Sequence, residues 1–149
     1  MFAATATPSA RHRMNHGFAN AYAAVGVHTS VETATPHRLV AMLYEGLLDS
    51  LARARGALQQ GQIELKASEL SRAQRIVDEG LKAALNPAGG ELTQQLEALY
   101  AYTSLRITQA NLRNDAAAIE ECQRLIEPVQ QAWLAIAPQA AVAARQDAR

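Results

Sequence analysis

Between residues 39 and 136 the apolar positions recur at intervals of three and four, in four blocks separated by short polar or glycine-bearing breaks. That interval is the repeat of one helical face and not the alternation of a half-buried strand. In the first block Leu39, Leu43, Leu47, Leu51, Ala54 and Leu58 form the stripe, widened by Val40, Tyr44 and Leu48. Thr35 is suited to cap this helix, and Pro36 fits the first helical position, where its missing N–H costs nothing. Gly61 suits the left-handed stop. The second block predicts a helix from Gln62 to Leu85 with Ile63, Ala67, Leu70, Ala73, Val77, Leu81 and Ala84 on its face. Asp78 and Lys82 are spaced in it for an i,i+4 ion pair. Asn86, Pro87, Gly89 and Gly90 then break the chain. The third helix is predicted from Glu91 to Arg113, with Leu92, Leu96, Leu99, Thr103, Ile107 and Ala110 inward and Tyr100 and Tyr102 beside them. Asn114 suits a left-handed stop and Asp115 the next N-cap. The fourth helix carries Ile119, Cys122, Leu125, Ile126, Val129, Trp133 and Ile136. Pro128 predicts a kink or a local break within it, and Pro138 its end.

Four such segments of about 22 to 26 residues, roughly 33 to 39 Å long at 1.5 Å per residue, joined by short turns, pack against their neighbours antiparallel. The expected fold is all-α: an antiparallel up-down-up-down four-helix bundle with a short N-terminal helical segment. That segment is Phe18 to Val25, where Phe18, Ala21, Tyr22 and Val25 share one face over two turns. It is too short to be stable alone, so it must dock on the bundle or on a partner. Gly26 ends it, and 27–35 is a β-branched linker long enough for either. Residues 1–17 read as a flexible arm, 18–138 as the bundle domain and 139–149 as a frayed tail.

Composition supports the all-α reading. Of 149 residues, 49 % are hydrophobic and only 5 % aromatic; alanine and leucine, both strong helix formers, dominate. The 14 basic and 14 acidic residues cancel, and no basic run or face marks a nucleic-acid binder. No apolar run approaches the roughly 18 residues of a membrane span, and the N-terminus lacks the charge order of a signal peptide. The expectation is a soluble cytoplasmic protein without membrane insertion. The single cysteine excludes an internal disulfide and fits a reducing compartment.

Catalytic constellations are missing from the pattern. There is no Glu-x-x-His of a di-iron bundle, no phosphate-binding glycine loop, and no carboxylate on the apolar stripes. His12 and His16 are four apart but have no third ligand, so no metal and no cofactor is expected. His37, in the first turn of its helix, reads as a solvated residue, whereas a histidine phosphotransfer bundle presents its histidine part-way along a helix. Cys122, on an apolar stripe, reads as a small core residue. The residues point to a binding protein and not to an enzyme. Two rivals stay in view: a histidine phosphotransfer bundle and a structural subunit with a permanent partner.

Three blocks in order resemble the flagellar secretion chaperone FliS family. The first is Ala21-Tyr22 followed by the run from Val31 to Gly46, with Val31-Glu32-Thr33-Ala34-Thr35-Pro36 and Met42-Leu43-Tyr44-Glu45-Gly46. The second is Gly89-Gly90-Glu91-Leu92, then Leu96 and Leu99-Tyr100-Ala101-Tyr102. The third is Ala110-Asn111-Leu112-Arg113-Asn114-Asp115, with Trp133 as a late tryptophan. The chain departs from the pattern at Asn86-Pro87, where the family has an aspartate, and at Gln95, where it has an asparagine. The resemblance implies a cytosolic chaperone that binds the disordered C-terminal segment of flagellin, stops premature polymerisation and aids delivery to the type III export apparatus. It implies an export-gate component as a further partner and a chaperone that is a monomer or weak homodimer. The matching positions expected to bind flagellin are Tyr22 and Val25 in the N-terminal segment, Met42 and Tyr44 on the first helix, and Leu96, Tyr100 and Tyr102 on the third.

Overall fold

The computed structural model describes residues 34–136. The arm 1–17, the segment 18–25 with Tyr22 and Val25, the pair His12 and His16, and the tail 139–149 lie outside the described residues. Within them the chain forms helix α1 (Pro36–Gln59), helix α2 (Ile63–Arg75) continued by a π-helical stretch (Ile76–Leu81), helix α3 (Gly90–Arg113) and helix α4 (Ala116–Ala135), with no strand.

The helix ends follow from their capping chemistry. The Thr35 hydroxyl accepts the Arg38 N–H at 3.1 Å, and Asp115 accepts the Ala118 N–H at 3.3 Å. At the end of α1 the Gln62 N–H reaches back to the Ala57 carbonyl at 2.8 Å across Gly61, whose φ of 72° is open to glycine at little cost. Asn114, at φ 51°, turns α3 into α4 in a single left-handed step.

One segment differs from the expected pattern. The second helix does not run as one α-helix to Leu85; its ladder widens at Ile76–Leu81, and the Lys82 N–H bonds to the Val77 carbonyl at 3.0 Å, five residues back. The spacing explains it. Ala73, Val77 and Leu81 are four apart, so in an α-helix of 3.6 residues per turn each step drifts by about 40°. The wider π turn brings them back to the core side, and all three are buried. Pro128, as expected, breaks the ladder only locally: α4 is continuous through it. Its side chain and that of Arg124 are exposed, so the Arg124 carbonyl that loses its N–H partner lies on the side open to water.

Helix α1 packs against α2 and α4, and α3 packs against α2 and α4. Arg55, late in α1, pairs with Glu120, early in α4, at 3.4 Å. Lys66, early in α2, donates to the backbone and side-chain oxygens of Asn111, late in α3, both at 2.9 Å. Each contact joins the early part of one helix to the late part of a neighbour, as antiparallel packing requires. The core between them holds Leu43, Leu47 and Leu51 of α1, Leu70, Ile76 and Leu81 of the second helix, Ile107 of α3, and Ile119, Cys122 and Ile126 of α4. Each fully buried leucine or isoleucine contributes about 1.5–3 kcal/mol, so this cluster dominates the fold's stability.

Candidate partner-binding surface

The expected binding residues within the described chain separate into an inner and an outer set. Met42, Tyr44 and Tyr100 are buried, Leu96 is half-buried, and Tyr102 is 45 % exposed. The division follows from helical phase. Tyr100 shares a face with Thr103, Ile107 and Ala110, all turned into the bundle, whereas Tyr102 is two residues on and projects elsewhere. Met42 is buried yet stands apart from the main core cluster.

Tyr44 of α1 and Tyr100 of α3 meet through their hydroxyls in the interior. Burial raises both phenols above their ordinary pKa, because a phenolate there would lose its hydration. The pair is therefore neutral, with one hydroxyl donating to the other. Nearby, the Cys122 thiol faces the Thr103 carbonyl at 3.8 Å, and burial pushes its pKa up to about 11. That is the opposite of an activated thiolate.

Tyr102 has a different setting. Its hydroxyl donates to the carboxylate of Glu121 on α4. The same carboxylate accepts from Arg106 Nε at 3.2 Å and pairs with Arg106 Nη2 at 3.1 Å, while Arg106 Nη1 donates to Gln109 at 2.6 Å. The bond to Glu121 holds the Tyr102 phenol above its usual pKa. The bond from Tyr102, seconded by Arg106, holds the Glu121 carboxyl below its own. The aromatic ring is thus pinned at the surface by a charged clasp.

Around it α3 exposes apolar side chains that lie off the predicted inner stripe: Leu105 is 54 % exposed and Leu112 is 81 % exposed. Their seven-residue separation, out of phase with Ile107 and Ala110, is the signal in the sequence that marks a second face. Leu92, expected inward, is also exposed, because it sits in the first turn of α3.

His37 is not the solvated residue that its place in the first turn predicts. Its ring stacks on Trp133 with centroids 4.6 Å apart and planes within 4°. His37 Nε2–H donates to the Trp133 carbonyl at 2.7 Å, and Trp133 Nε1–H donates to the His37 carbonyl at 2.9 Å. A contact between residues 96 positions apart is invisible to local periodicity. With one face stacked and Nε2 engaged, this imidazole is held as a clamp between α1 and α4. Among the described residues no group of three His, Cys, Asp or Glu side chains is placed to hold a metal ion, and no helix is long and apolar enough to cross a membrane.

The sequence that builds this bundle matches a known family. The profile of Flagellar protein FliS matches residues 18–140. The chain belongs to the FliS family. Over 121 residues it is 47 % identical to the flagellar secretion chaperone FliS of Salmonella typhimurium, a match covering 80 % of this chain and 90 % of that protein. It is 42 % identical to the FliS of Escherichia coli over 114 residues, or 76 % and 84 % of the two chains. With the FliS of Bacillus subtilis it shares 36 % over 104 residues, covering 70 % and 77 %. The matched region of the FliS profile takes in all four helices described above and the segment that carries Tyr22 and Val25.

Proposed function

We propose that this chain is a flagellar export chaperone that binds the disordered C-terminal segment of flagellin in the cytosol. It keeps that segment from polymerising early and helps deliver it to the flagellar type III export apparatus, through a contact with an export-gate component. The observation that carries this reading is the match of residues 18–140 to the FliS family, whose relatives are named flagellar secretion chaperones. The physics is favourable. A rigid bundle that keeps Leu96 and Tyr102 at or near its surface offers anchor points to a segment that folds into amphipathic helices on contact. The segment loses conformational entropy on binding, offset by the large surface it wraps. In this reading Tyr102 and Leu96 touch flagellin directly. Met42, Tyr44 and Tyr100 shape the floor beneath, and Tyr22 and Val25 act from the N-terminal segment. Neither catalysis nor a cofactor enters the mechanism, because holding a chain in a non-polymerising form needs only binding free energy.

The test is calorimetric titration with a flagellin C-terminal peptide. Saturable binding with a negative heat-capacity change is expected, weakened by Tyr102→Ala and by Leu96→Ala. Unaltered binding of a flagellin that lacks this C-terminal segment would overturn the reading.

A further inference from the structure

The bonds around Tyr102 run in a fixed order. Gln109 accepts the Arg106 Nη1–H at 2.6 Å. The Nε and Nη2 of Arg106 both turn to one oxygen of Glu121, Oε2, at 3.2 and 3.1 Å. The other oxygen, Oε1, is left to the Tyr102 hydroxyl. Tyr102, Arg106 and Gln109 follow one another at four and three residues, so they share one face of α3. Glu121 reaches them from α4. Arg106 therefore fixes the plane of the carboxylate, Gln109 fixes Arg106, and the free carboxylate oxygen is aimed at the phenol.

Stability does not account for this arrangement. An ion pair adds little to folding at a surface and often nothing when covered. Yet Arg106 and Glu121 are half-buried, and the aromatic residue that they serve is exposed. What the bonds do achieve is to fix a ring that water would leave free to turn. An exposed side chain gives up its rotamer freedom when a partner packs on it, and that cost is subtracted from affinity. In this chain the cost is met when the bundle folds. With its hydroxyl held toward α4, the ring also leaves its α3 neighbours Ala98 and Leu105 exposed.

We propose that Glu121 and Arg106 are positioning residues for partner binding, holding the Tyr102 ring in its docking orientation before flagellin arrives. The proposal rests on the reading that flagellin meets this face. Glu121 acts through Tyr102, and Arg106 acts through Glu121.

Two measurements on the full chain test it. In the free protein, NMR relaxation of isotope-labelled tyrosine rings should show Tyr102 to be as ordered as the buried Tyr44 and Tyr100. Glu121→Ala and Arg106→Ala should each loosen Tyr102 alone, and the unchanged buried pair will show that the bundle is intact. In titration with the flagellin C-terminal peptide, Glu121→Ala should raise the Kd about two- to tenfold, the cost of ordering one side chain. In a Tyr102→Ala background Glu121→Ala should change nothing further, because no ring is left to position. A Tyr102 ring already mobile in the free protein overturns the proposal. So does an effect of Glu121→Ala that is equal with and without Tyr102, which marks a general structural role. Binding weakened by Tyr102→Ala but not by Glu121→Ala overturns the proposal alone. Binding untouched by Tyr102→Ala removes the reading of this face, and the proposal with it.

Discussion

In the interior the hydroxyls of Tyr44 and Tyr100 form a buried pair. Removing one partner leaves the other buried without its bond, which costs about 1–3 kcal/mol. Tyr44→Phe and Tyr100→Phe should therefore each lower stability by that amount in urea denaturation. The double variant should cost clearly less than the sum, because no polar group is then left unpaired. The pair also sets an alkaline limit. Both phenols lie above the ordinary value of 10.0 when folded. Above pH 10 the unfolded chain loses these protons while the folded chain keeps them, so unfolding becomes progressively easier as pH rises. Stability should be flat in this respect below pH 10 and fall above it, and the fall should shrink in the double phenylalanine variant. Pairing of these tyrosines was not legible from spacing alone. Tyr44 and Tyr100 sit on apolar stripes whether they pack inward or line a groove, and only the meeting of α1 with α3 decides between the two.

At the scale of elements, the boundaries were the most legible part of the fold. Thr35, Gly61, Asn114 and Asp115 each act through the local backbone, so their chemistry is complete in a few consecutive residues. Burial along the stripes was equally readable from Leu43 to Leu51 and from Ile107 to Ala110. The π stretch at Ile76–Leu81 was not, since it answers to a mismatch between a four-residue spacing and the pitch needed to reach the core. Pro128 is a milder irregularity. It withholds one N–H from α4 on an exposed face, and alanine is preferred over proline in a helix interior by about 3 kcal/mol. Pro128→Ala should raise the melting temperature, with a gain of about 1–3 kcal/mol because the surrounding helix already accommodates the ring. A fall in melting temperature would mean that the ring itself is needed for packing.

For the molecule as a whole, two ties at opposite ends fix how the helices sit. At one end Lys66, only 3 % exposed, spans from α2 to the last turn of α3, where its charge meets Asn111 and the negative end of the helix. Lys66→Met keeps the length and removes the donors. It should cost about 1–3 kcal/mol and speed hydrogen exchange at the α3–α4 junction before the rest of the bundle. Lys66 lies off the predicted face of its helix, so its role was legible only once α3 stood opposite. At the other end the tie is the reciprocal clamp of His37 and Trp133. Trp133 is the only tryptophan in the chain, so the molecule carries one indole fluorophore, placed where α1 begins and α4 ends. Its emission is a local gauge. A spectral shift seen before the global unfolding transition will report that end of the bundle parting, with no label attached and no other indole to confuse the signal.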